Sequence, residues 1–565
     1  MAELVRASVL LRQLPALVAV VALACVLGFY LNRVFAPLPL YAGDEGAYLI
    51  RALYPPEAAA KDPLVPELAN GFYFLVARLV RALSFHYLPW LRLIGLVAYI
   101  GGVLLVWRAT TPALPRPARL TFLLLALAFP YYRFVVTALP EGLYVLMLAL
   151  LAWATATLYR RRPLVHAGLA GAVCAALVLT KPHGLAVVAG LAALIVLEGL
   201  ASRRPVLAGL RLAVSGAVFL AAGNAVQALA HQPVASRLRF FVGPFYDAAL
   251  SGAPAPGAFG LAALAAAGMA ATVALFAGPP IVAGVLDIAQ RRRAGAREAE
   301  GTDLVLVLLL LSLAATAAMV TVFAFKISVS HGETKRIWGR YFEFFAPLLW
   351  LAAAPSFARL ADRGQLVGLA SAGVMLAGLA GLYACFQAGV VLYAWDGGAL
   401  TAFFRPHPER ALITVRLPYR EIATALTLAA AAALALKMRP ERVGAAYVLA
   451  LAVVSTQLDD FWIGPMAGTR AEFAAEVRAA GALLSQDAGR GAIFVKDNND
   501  AHLSFLALDG QVQIAVASPE GVEAAAAAPY ERLVTVRDLP GPPGWRPIYE
   551  GWQLKVWEKA AAPSP

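Results

Sequence analysis

The segment Tyr41-Ala-Gly-Asp44-Glu45-Gly-Ala-Tyr48 sets two carboxylates side by side just after the first long apolar run of the chain. Acids at a membrane boundary are costly to bury and are often kept there for proton transfer or ligand binding, although solvated loop ends carry them too. Adjacent side chains on a helix point about 100° apart, so Asp44 and Glu45 are expected to face different partners. Three more charged positions stand at the mouths of apolar runs: Glu141 directly after Pro140, Lys181 inside the turn Thr180-Lys-Pro-His-Gly184, and Arg340, preceded by Lys335 and Arg336 and followed by Tyr341. Each has a plainer alternative. Glu141 satisfies a helix N-terminus, Lys181 snorkels to the interface, and Arg340 belongs to a solvated cluster or binds anionic headgroups.

What must position these groups is a membrane bundle. The 565 residues are 61% hydrophobic and 14% charged, with a mean hydropathy of +0.71, which excludes a soluble globule. Apolar runs recur along the chain, many of them reaching the roughly 20 residues that cross a bilayer. Lys plus Arg number 47 against 34 Asp plus Glu. The basic residues punctuate the apolar runs instead of gathering on one soluble face, so a nucleic-acid partner is not indicated. They cluster at Arg108/Arg116/Arg119, Arg160 to Arg162, Arg203-Arg204, Arg291 to Arg293, Arg359/Arg363 and Lys437/Arg439/Arg442. Placing every cluster in the cytoplasm predicts about thirteen spans, with the N-terminus inside and the chain beyond Asp460 outside. Arg6 and Arg12 precede a run from Leu14 to Ala36 that is long for a cleaved signal and reads as a signal anchor.

The expected fold class is mainly α: a polytopic helical bundle over 1–460, with a first extracytoplasmic loop over 37–91, and a small extracytoplasmic α/β domain over 461–565. In the loop, Gly71 to Leu88 has apolar residues at helical spacing and is expected to form an interfacial amphipathic helix with Arg78 and Arg81 on its polar face. In the tail, strands are expected at 492–496, 512–516 and 532–536, a helix over Glu523 to Ala528, and a frayed Pro-rich end. The three cysteines, Cys25, Cys174 and Cys385, lie within apolar runs and make no disulfide or zinc framework. His331 and Glu333 are too few to define a metal site, Asp497-Asn-Asn-Asp500 reads as a helix cap, and no phosphate-cradling Gly-rich loop for ATP or a dinucleotide is present.

Taken in order, Gly43-Asp44-Glu45-x-x-Tyr48, Arg92-Leu93, Pro140-Glu141-Gly-Leu-Tyr144, Thr180-Lys181-Pro182-His183-Gly184 and Gly339-Arg340-Tyr341 with Pro347 resemble the membrane-embedded glycosyltransferases of the GT-C superfamily. This is the type that includes protein O-mannosyltransferases and aminoarabinose transferases of lipid A. The resemblance spans nearly all of the membrane region and the tail. It implies a sugar donor carried on a polyprenyl phosphate, a lipid, glycan or protein acceptor, and contact with membrane lipids. It also implies Asp44 as the base that takes the acceptor proton, Glu45 as a ligand of acceptor or metal, Glu141 as a second acid, and Lys181, Arg340 and Tyr341 around the donor phosphate. Two departures stand out: Glu141 occupies a position more usually Asp, and Pro66 to Gly71 lacks the family's basic residue. The sequence names no cofactor and leaves a divalent metal open. The expected function is an inverting glycosyltransferase of the inner (plasma) membrane, acting on its outer face, which is periplasmic in a bacterium. The alternative from residue patterns alone is a transporter or flippase, which calls for ionisable groups at the bilayer midplane.

Overall fold

The structure is a computed structural model. It describes residues 2–35, 42–62, 64–66, 68–84, 86–130, 137–230, 257–295, 300–327, 335–392, 397, 399–404, 417–484, 491–527 and 530–560. The chain opens with α1 (Ala2–Val34), α2 (Ala42–Leu53), α3 (Pro56–Ala59), α4 (Gly71–Leu83) and α5 (Tyr87–Thr110). Next come α6 (Arg116–Ala128), α7 (Glu141–Leu158), α8 (Pro163–Thr180), α9 (Gly184–Ala201) and α10 (Pro205–Leu229). Then follow α11 (Ala258–Arg293), α12 (Gly301–Ile327), the single turn α13 (Arg340–Glu343), α14 (Ala346–Arg359), α15 (Gly364–Gln387), α16 (Tyr419–Ala435) and α17 (Pro440–Leu484). Pro163 and Pro205 open their helices immediately after basic pairs, at the position where a missing N–H costs nothing.

Among the described residues, nine helices are long and apolar enough to cross a bilayer: α1, α5, α7 to α12 and α15. The protein is a multi-pass membrane protein. The expected thirteen spans would need α6, α14, α16 and α17 as well. At about 1.5 Å per residue, α6 and α14 fall short of a 30 Å hydrocarbon core. α14 is apolar nearly all round and buried along almost its whole length, as a helix at the centre of a bundle must be.

Lipid is as apolar as leucine, so the helices associate through close packing of small residues. A close backbone approach joins α5 to α7. A Cβ on Gly142 would lie 2.1 Å from the carbonyl oxygen of Gly95, which brings the first turn of α7 against the stretch of α5 that follows Arg92. On the other side of α8, a Cβ on Gly171 would lie 2.4 Å from the carbonyl oxygen of Ser215 in α10.

Two expectations for the first loop change. The amphipathic segment is α4 alone; it stops at Ser84, and α5 starts at Tyr87. Arg78 does not face solvent. Its Nε donates to the Ala52 carbonyl and its Nη1 to that of Ala230, so α4 is bracketed between α2 and the end of α10. Arg81 stacks over Tyr87, 4.8 Å from the ring centre.

α17 runs without a break across residues 460 and 461 into the C-terminal region. There β1 (Gly491–Val495), α18 (Asn498–Ala507), β2 (Gln513–Val516), α19 (Pro519–Ala527), β3 (Arg532–Val536), β4 (Trp545–Glu550) and β5 (Leu554–Lys559) build one sheet of order β2-β1-β3-β5-β4. β1 is parallel to β2 and β3; β5 is antiparallel to β3 and β4. Alternation sends Ala492 and Phe494 of β1 to the α19 face, and Ile493 and Val495 to a core shared with Phe473 and Val477 of α17. β4 and β5 extend the sheet beyond the three expected strands, and the Pro-rich end over 561–565 lies outside the described residues. Pro547 is tolerated in β4 because that strand is the sheet edge, where no neighbour needs its missing N–H. The three expected strands and the α19 helix are present, and Asp497 caps α18 by accepting from the N–H groups of Asn499 and Asp500.

The Gly142–Gly95 contact yields a stability prediction. Gly142→Ala should destabilise the purified protein by about 1–3 kcal/mol, because the added methyl can only force α5 and α7 apart; thermal unfolding in detergent is the check, and an unchanged midpoint would show that the close approach is dispensable.

Candidate active site

One end of the bundle gathers the first turn of α2, the start of α7, the α8–α9 turn and α13. Glu45 is held inside: its side chain and that of Arg92 on α5 are both 0% exposed, and Nη2 of Arg92 lies 3.3 Å from the Glu45 carboxylate. The same carboxylate oxygen accepts from the N–H of Ala138, at 2.8 Å, in the turn that leads into α7. Glu45 therefore ties α2 to α5 and α7, and the side chain expected to bind acceptor or metal is buried behind Asp44. The physical reason is helical geometry: with Asp44 turned to the opening, its neighbour is turned into the bundle.

Asp44 faces the site. Its side chain is 54% exposed, and one carboxylate oxygen sits 2.8 Å from Nη1 of Arg340, whose side chain is 14% exposed. Burial pushes the Asp44 carboxyl up, but the Arg340 guanidinium, by charge and by hydrogen bond, then Lys181 and Arg336 pull it down further, leaving it below the ordinary carboxylate value. At neutral pH it is ionised.

Glu141 is the first residue of α7, and the ammonium of Lys181 bonds to its Oε1; both side chains are buried. Lys181 caps the C-terminus of α8 in an extended conformation, and its turn is held from below by Asn70, whose Nδ2 donates to the Thr180 carbonyl at 2.6 Å. Among the described residues Glu141 Oε2 and Arg340 Nε are buried with no hydrogen-bond partner. The cluster thus keeps hydrogen-bonding capacity of both signs in hand.

The floor of this cluster is aromatic. His183 stacks on Tyr341, ring centres 4.1 Å apart and planes 24° from parallel, and Trp338 continues the stack 6.0 Å from Tyr341. Lys181 Nζ lies 5.6 Å from the Tyr341 ring centre, and the Arg336 guanidinium 4.1 Å from that of Trp338. Lys335 and Trp338 take positive φ of 58° and 60°. For side chains of this size such conformations cost about 1–3 kcal/mol each and collect at functional sites. They turn the chain sharply into α13. Burial and the neighbouring Lys181 and Arg340 charges keep His183 neutral, its pKa far below the usual value.

The structure thus brings together Asp44, Glu141, Lys181, Arg340 and Tyr341, and sets Glu45 behind them. Sequence reasoning passed over His183, Arg336 and Asn70. His183 lies inside a quoted motif and carried a signal; the stack with Tyr341, 158 positions away in sequence, did not. Lys61, the lysine of the first loop upstream of Pro66, points away from the cluster, its ammonium on the Gly510 carbonyl. His331 and Glu333 lie outside the described residues.

This fold and site define the class: a polytopic helical membrane protein with a charged, aromatic-floored cluster at one end, beside a small α/β domain. No family model matches the sequence, and no curated protein does. Among solved structures, ArnT from Cupriavidus metallidurans bound to undecaprenyl phosphate shares the fold, with a TM-score of 0.54 at 16% identity over 96% of this chain and 98% of ArnT. The apo state of the same protein matches with a TM-score of 0.52, also at 16% identity, over 95% and 97% of the two chains. The fold is therefore one shared with ArnT.

Removing Glu45 while keeping Asp44 separates the two carboxylates. Glu45→Ala leaves the Arg92 charge without its carboxylate inside the bundle and should cost about 3–5 kcal/mol of stability; Glu45→Ala with Arg92→Met should recover most of it, as read by thermal unfolding. A double variant no more stable than the single would mean that the pair is not what holds α2.

Proposed function

We propose that the chain is an integral-membrane glycosyltransferase that moves a sugar from a polyprenyl-phosphate donor to an acceptor hydroxyl on the extracytoplasmic face. The observation that carries this reading is the Asp44–Arg340 pair: an open, ionised carboxylate against a nearly buried guanidinium with a spare N–H. It sits in a fold shared with a protein whose structure holds undecaprenyl phosphate. Charged groups gathered at helix ends also favour an enzyme over a transporter, whose ionisable groups belong at the bilayer midplane.

In this reading Arg340 and Lys181 hold the donor phosphate, Tyr341 packs beside them, and Glu141 fixes the Lys181 ammonium. Arginine suits the role because its fork meets two phosphate oxygens at once. The acceptor oxygen attacks the anomeric carbon, the bond from that carbon to the phosphate oxygen breaks, and the phosphate leaves with the electron pair. Asp44 takes the acceptor proton. One displacement inverts the anomeric centre. The growing charge on the phosphate is met by cations already in place, the type of term whose loss costs about 10²–10³ in rate per donor.

Donor and base are coupled. A phosphate that draws Arg340 away from Asp44, and adds a negative charge beside it, raises the Asp44 pKa and strengthens the base only when donor is present. The bundle end opposite the site carries Arg291 and Arg359, paired with Asp287 and Asp303, and is the end the positive-inside bias assigns to the cytoplasm. The site, the tail domain over 461–565 and the first loop then face outward, and residues 1–460 are the catalytic membrane region with a cytoplasmic N-terminus.

Turnover of polyprenyl-phosphate sugars by purified protein, scored by mass spectrometry, tests the reading. Asp44→Asn should abolish transfer while donor still binds, and full turnover by that variant would refute the base. Arg340→Gln should lower kcat/KM about 10²–10³-fold. The pH profiles carry a sign. Asp44 works deprotonated, so activity falls as pH drops through its pKa. The acid limb of kcat/KM, which reports free enzyme, should lie below the ordinary carboxylate range, and that of kcat, which reports the donor complex, at higher pH. Coincident limbs would mean that donor does not displace Arg340.

A further inference from the structure

The C-terminal domain reaches the acidic helix through contacts that the chemistry above does not use. Asp62, just beyond α3, is fully buried, and its Oδ2 lies 2.8 Å from Nδ1 of His502 on α18, whose side chain is 3% exposed. Its other oxygen accepts from the N–H of Leu64 at 3.0 Å, so the carboxylate is fixed from both sides. His502 also sets the spacing of α2: a Cβ built on Gly46 would lie 2.7 Å from the His502 Cβ. Gly46 stands two residues after Asp44. Around this contact Ile50, Ala59 and Val65 of the first loop share one core with Phe473, Phe505 and Ile514 of the tail. The edge is stitched by the N–H of Ile514 on the Lys61 carbonyl at 2.8 Å and by the Tyr54 hydroxyl on Asp509 at 2.6 Å.

The first loop and the tail are therefore one folded unit. α2 is clamped between α5, through Glu45 and Arg92, and α18, through Gly46 and His502. The Asp44 side chain itself is half open, so its placement is inherited from the helix that carries it. We propose that Asp62 and His502 are positioning residues for Asp44, and that the tail domain belongs to the catalytic apparatus by fixing the base. The pair is closed over by Gly46 and has no opening for a ligand, which separates it from an acceptor site. This proposal rests on Asp44 being the base. Misplacing a reacting group by about 1 Å is enough to cost 10²-fold in rate.

The test uses full-length protein in detergent with a synthetic polyprenyl-phosphate sugar as donor. Gly46→Ala, which pushes α2 off α18, should lower kcat about 10–100-fold with donor KM changed less than about twofold. Asp62→Leu should lower kcat similarly, and Asp62→Asn, which keeps a hydrogen bond to the imidazole, should be several-fold more active than Asp62→Leu. Amide hydrogen exchange over 44–53 should rise in Asp62→Leu while that of β1 and β3 stays protected. Wild-type kcat in Gly46→Ala and Asp62→Leu, or equal activity of Asp62→Asn and Asp62→Leu, would overturn the proposal. A fully active Asp44→Asn would instead remove the function it rests on, and unchanged exchange over 44–53 would then still reject the clamp on its own.

Discussion

A charge taken into an apolar bundle costs several kcal/mol unless an opposite charge and hydrogen bonds meet it there, and the working end of this protein is laid out by that constraint. Glu45 meets Arg92, Glu141 meets Lys181, and Asp44 meets Arg340. Each pair joins two different elements, so satisfying the charges also fixes α2, α5, α7, the α8–α9 turn and α13 against one another. The pairs are graded in exposure. Glu45 and Arg92 are sealed, Lys181 and Glu141 are nearly so, and of these side chains only that of Asp44 is half open.

Fixing Arg340 takes more than its partner. It starts α13, whose last residue, Glu343, accepts from the N–H of Ala399 at 2.7 Å, and the chain then enters α14, packed on all sides. At its far end α14 is held by Ser356 and Arg359 on the carboxylate of Asp287 in α11. Trp350, midway, donates to the Phe276 carbonyl of the same helix α11. The turn that carries the guanidinium therefore runs into a helix anchored in its middle and at its far end, the rigidity that a preorganised charge requires.

The carboxylates show how far reading the chain can go. Asp44 and Glu45 are neighbours of the same charge in the same motif, and nothing local says which faces the opening. Arg92, 47 positions on, and the Ala138 N–H decide it by claiming Glu45. His183 is one of seven histidines; its turn motif marks the segment, but it joins the cluster only because the α8–α9 turn lies under Tyr341. Arg78 was expected on a polar face because a helical period ranks residues by hydropathy, whereas the carbonyls of Ala52 and Ala230 are supplied by chain far away. In the tail, β1, β2, β3 and α19 announce themselves by alternation and composition. β4 does not, because an edge strand has no need to be apolar and tolerates Pro547.

The sequence by itself determined the membrane bundle, the charge-marked order of its helices, the small α/β tail and the five motifs from which the site is built. Those properties are carried by composition and period, which act over a turn of helix or a run the width of a bilayer. Only the tertiary structure decided which charge pairs with which, that Glu45 is sealed, that His183 and Arg336 join the site, and that the tail shares a core with the loop bearing Asp44. Pairing and burial depend on residues hundreds of positions apart arriving at one place, and no local pattern encodes the distance between them.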